Sequence, residues 1–300
     1  MPIYQVVVLA VVQGLAELLP VSSSAHVVVA EKLMGLDPST PQMTLLLVML
    51  HTGTMFAVIA YFWNQWKQTY FSSADAFKRF AVRVIWATLL TGAVGEALIK
   101  VIEHTLFKGT PKAEIEDLFG RLDLVAPALA CAGILILIAG LAKRSAGTKV
   151  ASAESITRRP SGNVTMAQAG WMGFVQGLAL PFRGFSRSGV TISAGMLTGA
   201  LRDKAERFSF AMAVVITPAA IGREAMRVLH ATNEAAATGS PVDLRGTVVV
   251  SMVGALFAFL AGLLALRWLS NWLENGRWYW FGIYCLAASG AVWALHMKGY

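Results

Sequence analysis

A chain of 300 residues with 56% hydrophobic and 14% charged side chains is too poor in charge for an ordinary soluble domain, where about a quarter of residues are charged. Its mean hydropathy of +0.60, spread over runs of about 20 residues that match a ~30 Å hydrocarbon core, reads as an all-α polytopic membrane protein. The formal net charge of +8 does not point to nucleic acid. The basic residues are scattered through the loops between apolar runs, where they act as topology signals and attract anionic lipid head groups.

The first segment, 3–35, has no charged leader followed by a short apolar run and a cleavage site, so its helix is expected to be retained. It carries Gln13-Gly-Leu-Ala-Glu17-Leu-Leu-Pro20-Val-Ser-Ser-Ser-Ala-His26. Pro20 removes a backbone donor in mid-segment, and irregular backbone at membrane depth survives only when buried in protein or lining a wet cavity. A re-entrant helix-loop-helix is therefore predicted. Clean spans follow at about 43–64, 84–102 and 122–142, then a polar linker over 146–164. A second broken segment, 165–200, carries Gln176-Gly-Leu-Ala-Leu-Pro-Phe-Arg183-Gly-Phe-Ser186-Arg187-Ser188-Gly189. Three more spans are predicted at 207–229, 245–268 and 279–297. Cys131 and Cys285 lie inside apolar runs without metal-ligand spacing and read as packing residues.

Gln-Gly-Leu-Ala recurs after 176 − 13 = 163 residues, which sets Ser23 and Ser186 at the same offset. The loop 65–83 (Lys67, Lys78, Arg79, Arg83) and the loop 143–160 (Lys143, Arg144, Lys149, Arg158, Arg159) fall on one side if both broken segments re-enter. The opposite loops hold Glu103, Glu114, Glu116 and Asp117, so the positive-inside tendency is obeyed. Each half is then one re-entrant segment plus three spans, an odd number, which makes an inverted-topology repeat with about six transmembrane helices. The halves are 1–145 and 165–300, joined by a cytoplasmic linker at 146–164.

An ionisable residue within such a span marks a functional site by default. Glu17 needs a cation or metal partner to be tolerated there, and Gln13, four residues earlier, shares its helix face. Gln13 reads as an interhelical hydrogen-bonding group or a neighbour of the site. Ser23 is selected among Ser22, Ser23 and Ser24 by its place in the repeat. His26 is a candidate acid, base or nucleophile. In the second motif, Gly184 and Gly189 allow close backbone approach, Ser186 and Ser188 donate hydroxyls, and Arg187 offers a planar fork matched to phosphate oxygens. Arg183 adds a second cation or only reaches toward a head group. His51, within a span, is packing or a supporting group of the site. Together these residues suggest anion chemistry at a membrane-embedded site. The same architecture also suits a transporter.

With these residues placed, the chain resembles the undecaprenyl-diphosphate phosphatase family of integral-membrane enzymes linked to bacitracin resistance. The family's (Glu/Gln)-x-x-x-Glu pattern with Pro-Val-Ser-Ser and His matches Gln13, Glu17, Pro20, Val21, Ser22, Ser23 and His26. Its Pro-Gly-x-Ser-Arg-Ser-Gly-x-Thr pattern matches Gly184, Ser186, Arg187, Ser188, Gly189 and Thr191. Gln13 stands where many members carry a first glutamate, and Arg183 stands where the family has proline. The resemblance implies removal of the terminal phosphate of undecaprenyl diphosphate in the bacterial inner membrane, at a site open to the periplasm. It implies a phosphate-binding loop through Thr191, and a divalent cation, Mg²⁺ or Ca²⁺, near Gln13 and Glu17. It leaves His26, Ser23 or water as the nucleophile, and leaves a homodimer open.

Overall fold

Proline and glycine cut an apolar chain into helices of two lengths. The computed structural model describes residues 1–37, 40–106, 120–150, 163–237, 244–273 and 277–300, and among these it contains ten helices and no strand. In chain order they are α1 (Ile3–Leu18), α2 (Ser23–Leu33), α3 (Pro41–Thr69), α4 (Ala74–Leu106), α5 (Leu122–Val150), α6 (Met166–Ala179), α7 (Arg187–Leu197), α8 (Arg202–Ala237), α9 (Leu244–Leu273) and α10 (Tyr279–Met297). Both motif segments are broken as expected, into the hairpins α1–α2 and α6–α7.

Five helices hold runs long and apolar enough to cross a bilayer: Met43–Thr69, Ala74–Thr105, Leu122–Ala142, Gly246–Leu269 and Tyr279–Met297. The protein is therefore an all-helical, multi-pass membrane protein. The sixth expected span, 207–229, is helical within α8 but is not among these five, which are counted over the described residues. Helix boundaries also differ from expectation. The helix α4 begins at Ala74, inside the predicted loop 65–83, and α5 continues to Val150, past the predicted end at 142 and into the linker. The rest of that linker up to residue 162, and the acidic residues Glu114, Glu116 and Asp117, lie outside the described residues.

Each motif helix packs on a helix from the other half of the chain, α1 on α9 and α6 on α4. The repeated glycine makes this approach possible. A Cβ on Gly14 would lie 2.6 Å from Ala261 Cβ and 2.7 Å from the Ala258 carbonyl oxygen. One on Gly177 would lie 2.7 Å from Val94 Cβ and 2.9 Å from the Thr91 carbonyl oxygen. The pair α5–α10 and the group α3–α8–α9 close the bundle around the hairpins. One apolar core runs through Ile136, Met172, Ile192, Phe208 and Trp278, another through Leu18, Phe62, Phe210 and Leu266.

The two hairpins match in detail, with one slip. Helices α1 and α6 start 163 residues apart, at Ile3 and Met166, whereas α2 and α7 start 164 apart, at Ser23 and Arg187. The larger offset holds to the helix ends. Met34, Gly35 and Leu36 bond back to Ala30, Lys32 and Glu31 as Thr198, Gly199 and Ala200 do to Ala194, Met196 and Gly195. Gly35 (φ 66°) and Gly199 (φ 95°) both take the left-handed backbone that ends a helix. The second hairpin is thus one residue longer from the start of one helix to the start of the next, its motif helix ending earlier and its loop being longer. The N-cap serines are Ser22, which accepts from the Ala25 amide, and Ser186, which accepts from the Gly189 amide. The expected pairing of Ser23 with Ser186 is corrected by one position: Ser22 matches Ser186, Ser23 matches Arg187, and Ser24 matches Ser188.

Candidate active site

Because Ser23 and Arg187 each occupy the first position of a returning helix, both point into the gap between the hairpins. There they meet Glu17, near the end of α1. Ser23 Oγ donates to Glu17 Oε2 at 2.5 Å, and the Arg187 guanidinium donates to Glu17 Oε1 in an ion pair. Gln13 Nε2 donates to Oε2 at 3.1 Å from one turn earlier on α1. His51, on α3, places Nε2 3.9 Å from the same oxygen. Its Nδ1 lies 2.8 Å from the Leu47 carbonyl, which only accepts, so the proton of that pair is on Nδ1. The Glu17 and Arg187 side chains are only 13% and 27% exposed. The carboxylate expected to need a cation has one, from the other hairpin.

The hairpins are also stitched together through backbone. Ser24 Oγ accepts from the Gly184 amide at 3.2 Å, and Ser188 Oγ donates to the Leu19 carbonyl at 3.3 Å. These two serines sit at matching positions, and each holds the loop of the other hairpin. Ser24, not selected among the three serines of the motif, is thus a cross-brace.

Other candidates serve the loop rather than the cluster. Ser186 is buried and spent on its cap. A Cβ on Gly189 would press to 2.6 Å from Ile136 Cδ1 and 3.2 Å from the Pro20 carbonyl oxygen, so this glycine lets the second hairpin seat against the first. Gly184 (φ 104°) would meet the Val125 carbonyl oxygen at 2.4 Å. Thr191 is fully buried and bonds the Arg187 and Ser188 carbonyls and, at 2.5 Å, the Ser209 hydroxyl, which fixes α7 on α8. Arg183 interacts electrostatically with Glu31, a wholly buried carboxylate of α2 whose two oxygens accept no hydrogen bond. Sequence reasoning passed over Glu31, although an acid five residues past His26 in an apolar run was a visible signal.

His26 is not a hydrogen-bonding partner of Glu17. Its Nδ1 lies 2.7 Å from the Ser22 carbonyl and its Nε2 2.6 Å from the hydroxyl of Tyr284 on α10, with the two rings stacked. The imidazole beside the carboxylate is His51 instead. Tyr284 was not singled out in the sequence, where a lone tyrosine in the last span carries no signal. Cys285, next to it, is a free buried thiol that donates to the Pro20 carbonyl at 3.5 Å.

A serine, a carboxylate and a guanidinium gathered between two helical hairpins of a multi-pass membrane protein are the groups that hydrolytic phosphoryl chemistry uses. The chain belongs to the family of bacitracin resistance protein BacA, whose model matches residues 6–291. It is 54% identical to undecaprenyl-diphosphatase 2 of Acinetobacter baylyi, with 98% of each chain covered. It is 32% identical to undecaprenyl-diphosphatase 1 of Burkholderia pseudomallei, over 96% of this chain and 95% of the relative. With the undecaprenyl-diphosphatase of Rhodopirellula baltica the identity is 27%, over 98% of each.

Proposed function

We propose that this protein is an undecaprenyl-diphosphate phosphatase, releasing inorganic phosphate and undecaprenyl phosphate, the lipid carrier of cell-wall synthesis. The observation that carries the mechanism is the Ser23 hydroxyl donating to a carboxylate whose other oxygen holds Arg187. Ser23 Oγ attacks the terminal phosphorus, and the bond from that phosphorus to the bridging oxygen breaks. The Ser23 proton passes to Glu17, and the lipid monophosphate leaves. A protonated Glu17 no longer holds the guanidinium by charge, so Arg187 turns its planar fork to the transferring phosphoryl oxygens. Glu17 then gives that proton to the departing monophosphate; ionised again, it takes a proton from the water that attacks the phosphoserine and returns it to the Ser23 oxygen as inorganic phosphate leaves. Both nitrogens of His26 are engaged, which favours Ser23 over His26 as nucleophile.

A divalent cation, Mg²⁺ or Ca²⁺, is part of the proposal. The Gln13 amide oxygen, the Glu17 carboxylate and the Ser23 hydroxyl are hard oxygen donors of the kind either ion takes. No group of three or more His, Cys, Asp or Glu that could hold a metal occurs among the described residues, so diphosphate oxygens would supply the remaining ligands. Its chemistry would be to neutralise phosphate charge.

We read the architecture as an inverted repeat in the bacterial inner membrane, 1–145 against 165–300, with both hairpins re-entrant and the site open to the periplasm. Three helices separate the hairpins, and the crossed packing of α1 on α9 and α6 on α4 supports this reading. Cysteine at Ser73 is then labelled only from the cytoplasm, and cysteine at Lys298 only from the periplasm. Periplasmic labelling at Ser73 would overturn the topology.

The deciding experiment uses purified protein in detergent, where transport is impossible, with substrate labelled in its terminal phosphate. Phosphate release, with acid-stable and base-labile label trapped on Ser23, is expected. Acid-labile label on His26 would move the nucleophile there. Absence of release would favour a prenyl-phosphate transporter, an activity that the same crossed-hairpin architecture serves.

A further inference from the structure

Ser22 is the only non-glycine residue with positive φ among those described, at 68°. Such a backbone costs about 1–3 kcal/mol and persists only where its surroundings hold it. The matching residue of the other hairpin, Ser186, has φ −24°, so the strain is not required by the turn as such. It sits immediately before Ser23. The Ser22 carbonyl and the Ser23 amide share one rigid peptide plane, so whatever fixes that carbonyl fixes the plane from which the Ser23 side chain departs.

His26 fixes it twice, through its ring Nδ1 at 2.7 Å and, more loosely, through its backbone amide at 3.4 Å. A carbonyl only accepts, so Nδ1 carries the proton, and a neutral ring then has an acceptor at Nε2. The Tyr284 hydroxyl, 2.6 Å from Nε2, donates to it, and the phenol ring lies parallel to the imidazole, 9° between planes and 5.7 Å between centroids. In the second hairpin the residue at the place of His26 is Val190, which offers only its amide to the Ser186 carbonyl. The imidazole and its tyrosine therefore belong to the one turn whose next residue meets Glu17.

We propose that Tyr284 is a positioning residue: through His26 it holds the Ser22–Ser23 peptide plane and so aims the Ser23 hydroxyl at Glu17. The proposal rests on Ser23 being the nucleophile. Tyr284 touches no reacting atom. It acts from α10 on the first hairpin, and Cys285, bonding the Pro20 carbonyl beside it, shows that α10 grips that hairpin twice, at its loop and at its returning helix.

The test is a double-mutant cycle on phosphate release in detergent. Tyr284→Phe keeps the stack and removes the hydroxyl, and should lower kcat about tenfold, the worth of one well-placed hydrogen bond, with KM unchanged. In a His26→Ala background the same change should cost less than about twofold, because its route to Ser23 is gone. An equal loss in both backgrounds would make Tyr284 a packing residue and overturn the proposal, as would full activity of Tyr284→Phe. A readout independent of turnover is the ¹⁵N spectrum of histidine-labelled protein above the imidazole titration. The His26 signal, identified by its loss in His26→Ala, should show a protonated Nδ1 and a hydrogen-bonded, unprotonated Nε2. Tyr284→Phe should move the Nε2 resonance toward that of a free acceptor. A wild-type Nε2 carrying the proton would overturn the arrangement even if hydrolysis is confirmed. Finding the expected tautomer in protein that hydrolyses nothing would overturn only the proposed function.

Discussion

The two hairpins share a frame and divide the chemistry. Both begin with a Gln-Gly motif helix, break at proline, cap the returning helix with serine and end it on a left-handed glycine. They differ at the positions that face the gap. Where the first has Glu17, the second has Leu180 at the motif-helix offset, and where the first has Ser23, the second has Arg187. Even the repeated glutamine has diverged, Gln13 bonding Glu17 and Gln176 bonding Thr91 at 3.3 Å. One frame thus supplies hydroxyl and carboxylate, the other the cation, and neither holds a site by itself. The buried carboxylate is tolerated because its partner arrives from the other hairpin.

That division can be broken most severely at Ser23. Ser23→Ala should reduce phosphate release at least ~10³-fold, since the attacking group is lost. The corresponding cap change, Ser186→Ala, should cost about 1 kcal/mol in stability and far less activity. Similar turnover in the two variants would erase the distinction between the hairpins. Arg187→Lys comes next, with an expected loss of about 10²–10³-fold at unchanged charge, because the bidentate fork is gone. Near-normal phosphate release would make Arg187 an anchor for Glu17 alone. Gly14→Ala and Gly177→Ala probe what the hairpins share. Each should destabilise by about 1–3 kcal/mol, by wedging a motif helix off its partner. A thermal melt in detergent that shifts for one and not the other would show that only one of the crossed contacts bears load. The smallest effects belong to Gly35→Ala and Gly199→Ala, about 1 kcal/mol each, since neither added Cβ meets an atom closer than 4.0 Å and only the positive φ opposes it.

Much of this frame was legible in the chain. The repeated Gln-Gly-Leu-Ala and the prolines marked both hairpins, and apolar runs marked the long helices, because lipid forces apolarity and breaks to be written plainly. Glu17 and Arg187 could be paired on the ground that a buried charge needs its opposite. The one-residue slip was not legible. The sequence match lies in the motif helix, before the longer second loop, so carrying its offset through the loop aligned Ser23 with Ser186 instead of Arg187. Which imidazole stands beside the carboxylate is hidden for a related reason. His26 is close to Glu17 in sequence, but a returning helix turns it toward Tyr284, 258 residues away, while His51 reaches the carboxylate from a helix with no motif. Helix ends such as Val150 were missed because polar residues continue a helix beyond the bilayer without an apolar signature.

The crossed seating of the motif helices bears on how the chain is made. Helix α1 leaves the ribosome long before its close partner α9, whose Ala258 and Ala261 surface receives Gly14. Synthesis runs from the N-terminus, so the hairpin bearing Ser23 and Glu17 meets α3 early and must wait for its α9 seat. Arg187 appears in the meantime and α10 only after α9. A chain stopped before α9 would carry every residue of the cluster but lack the surface that seats α1, so assembly of the site itself reports that translation has passed α9.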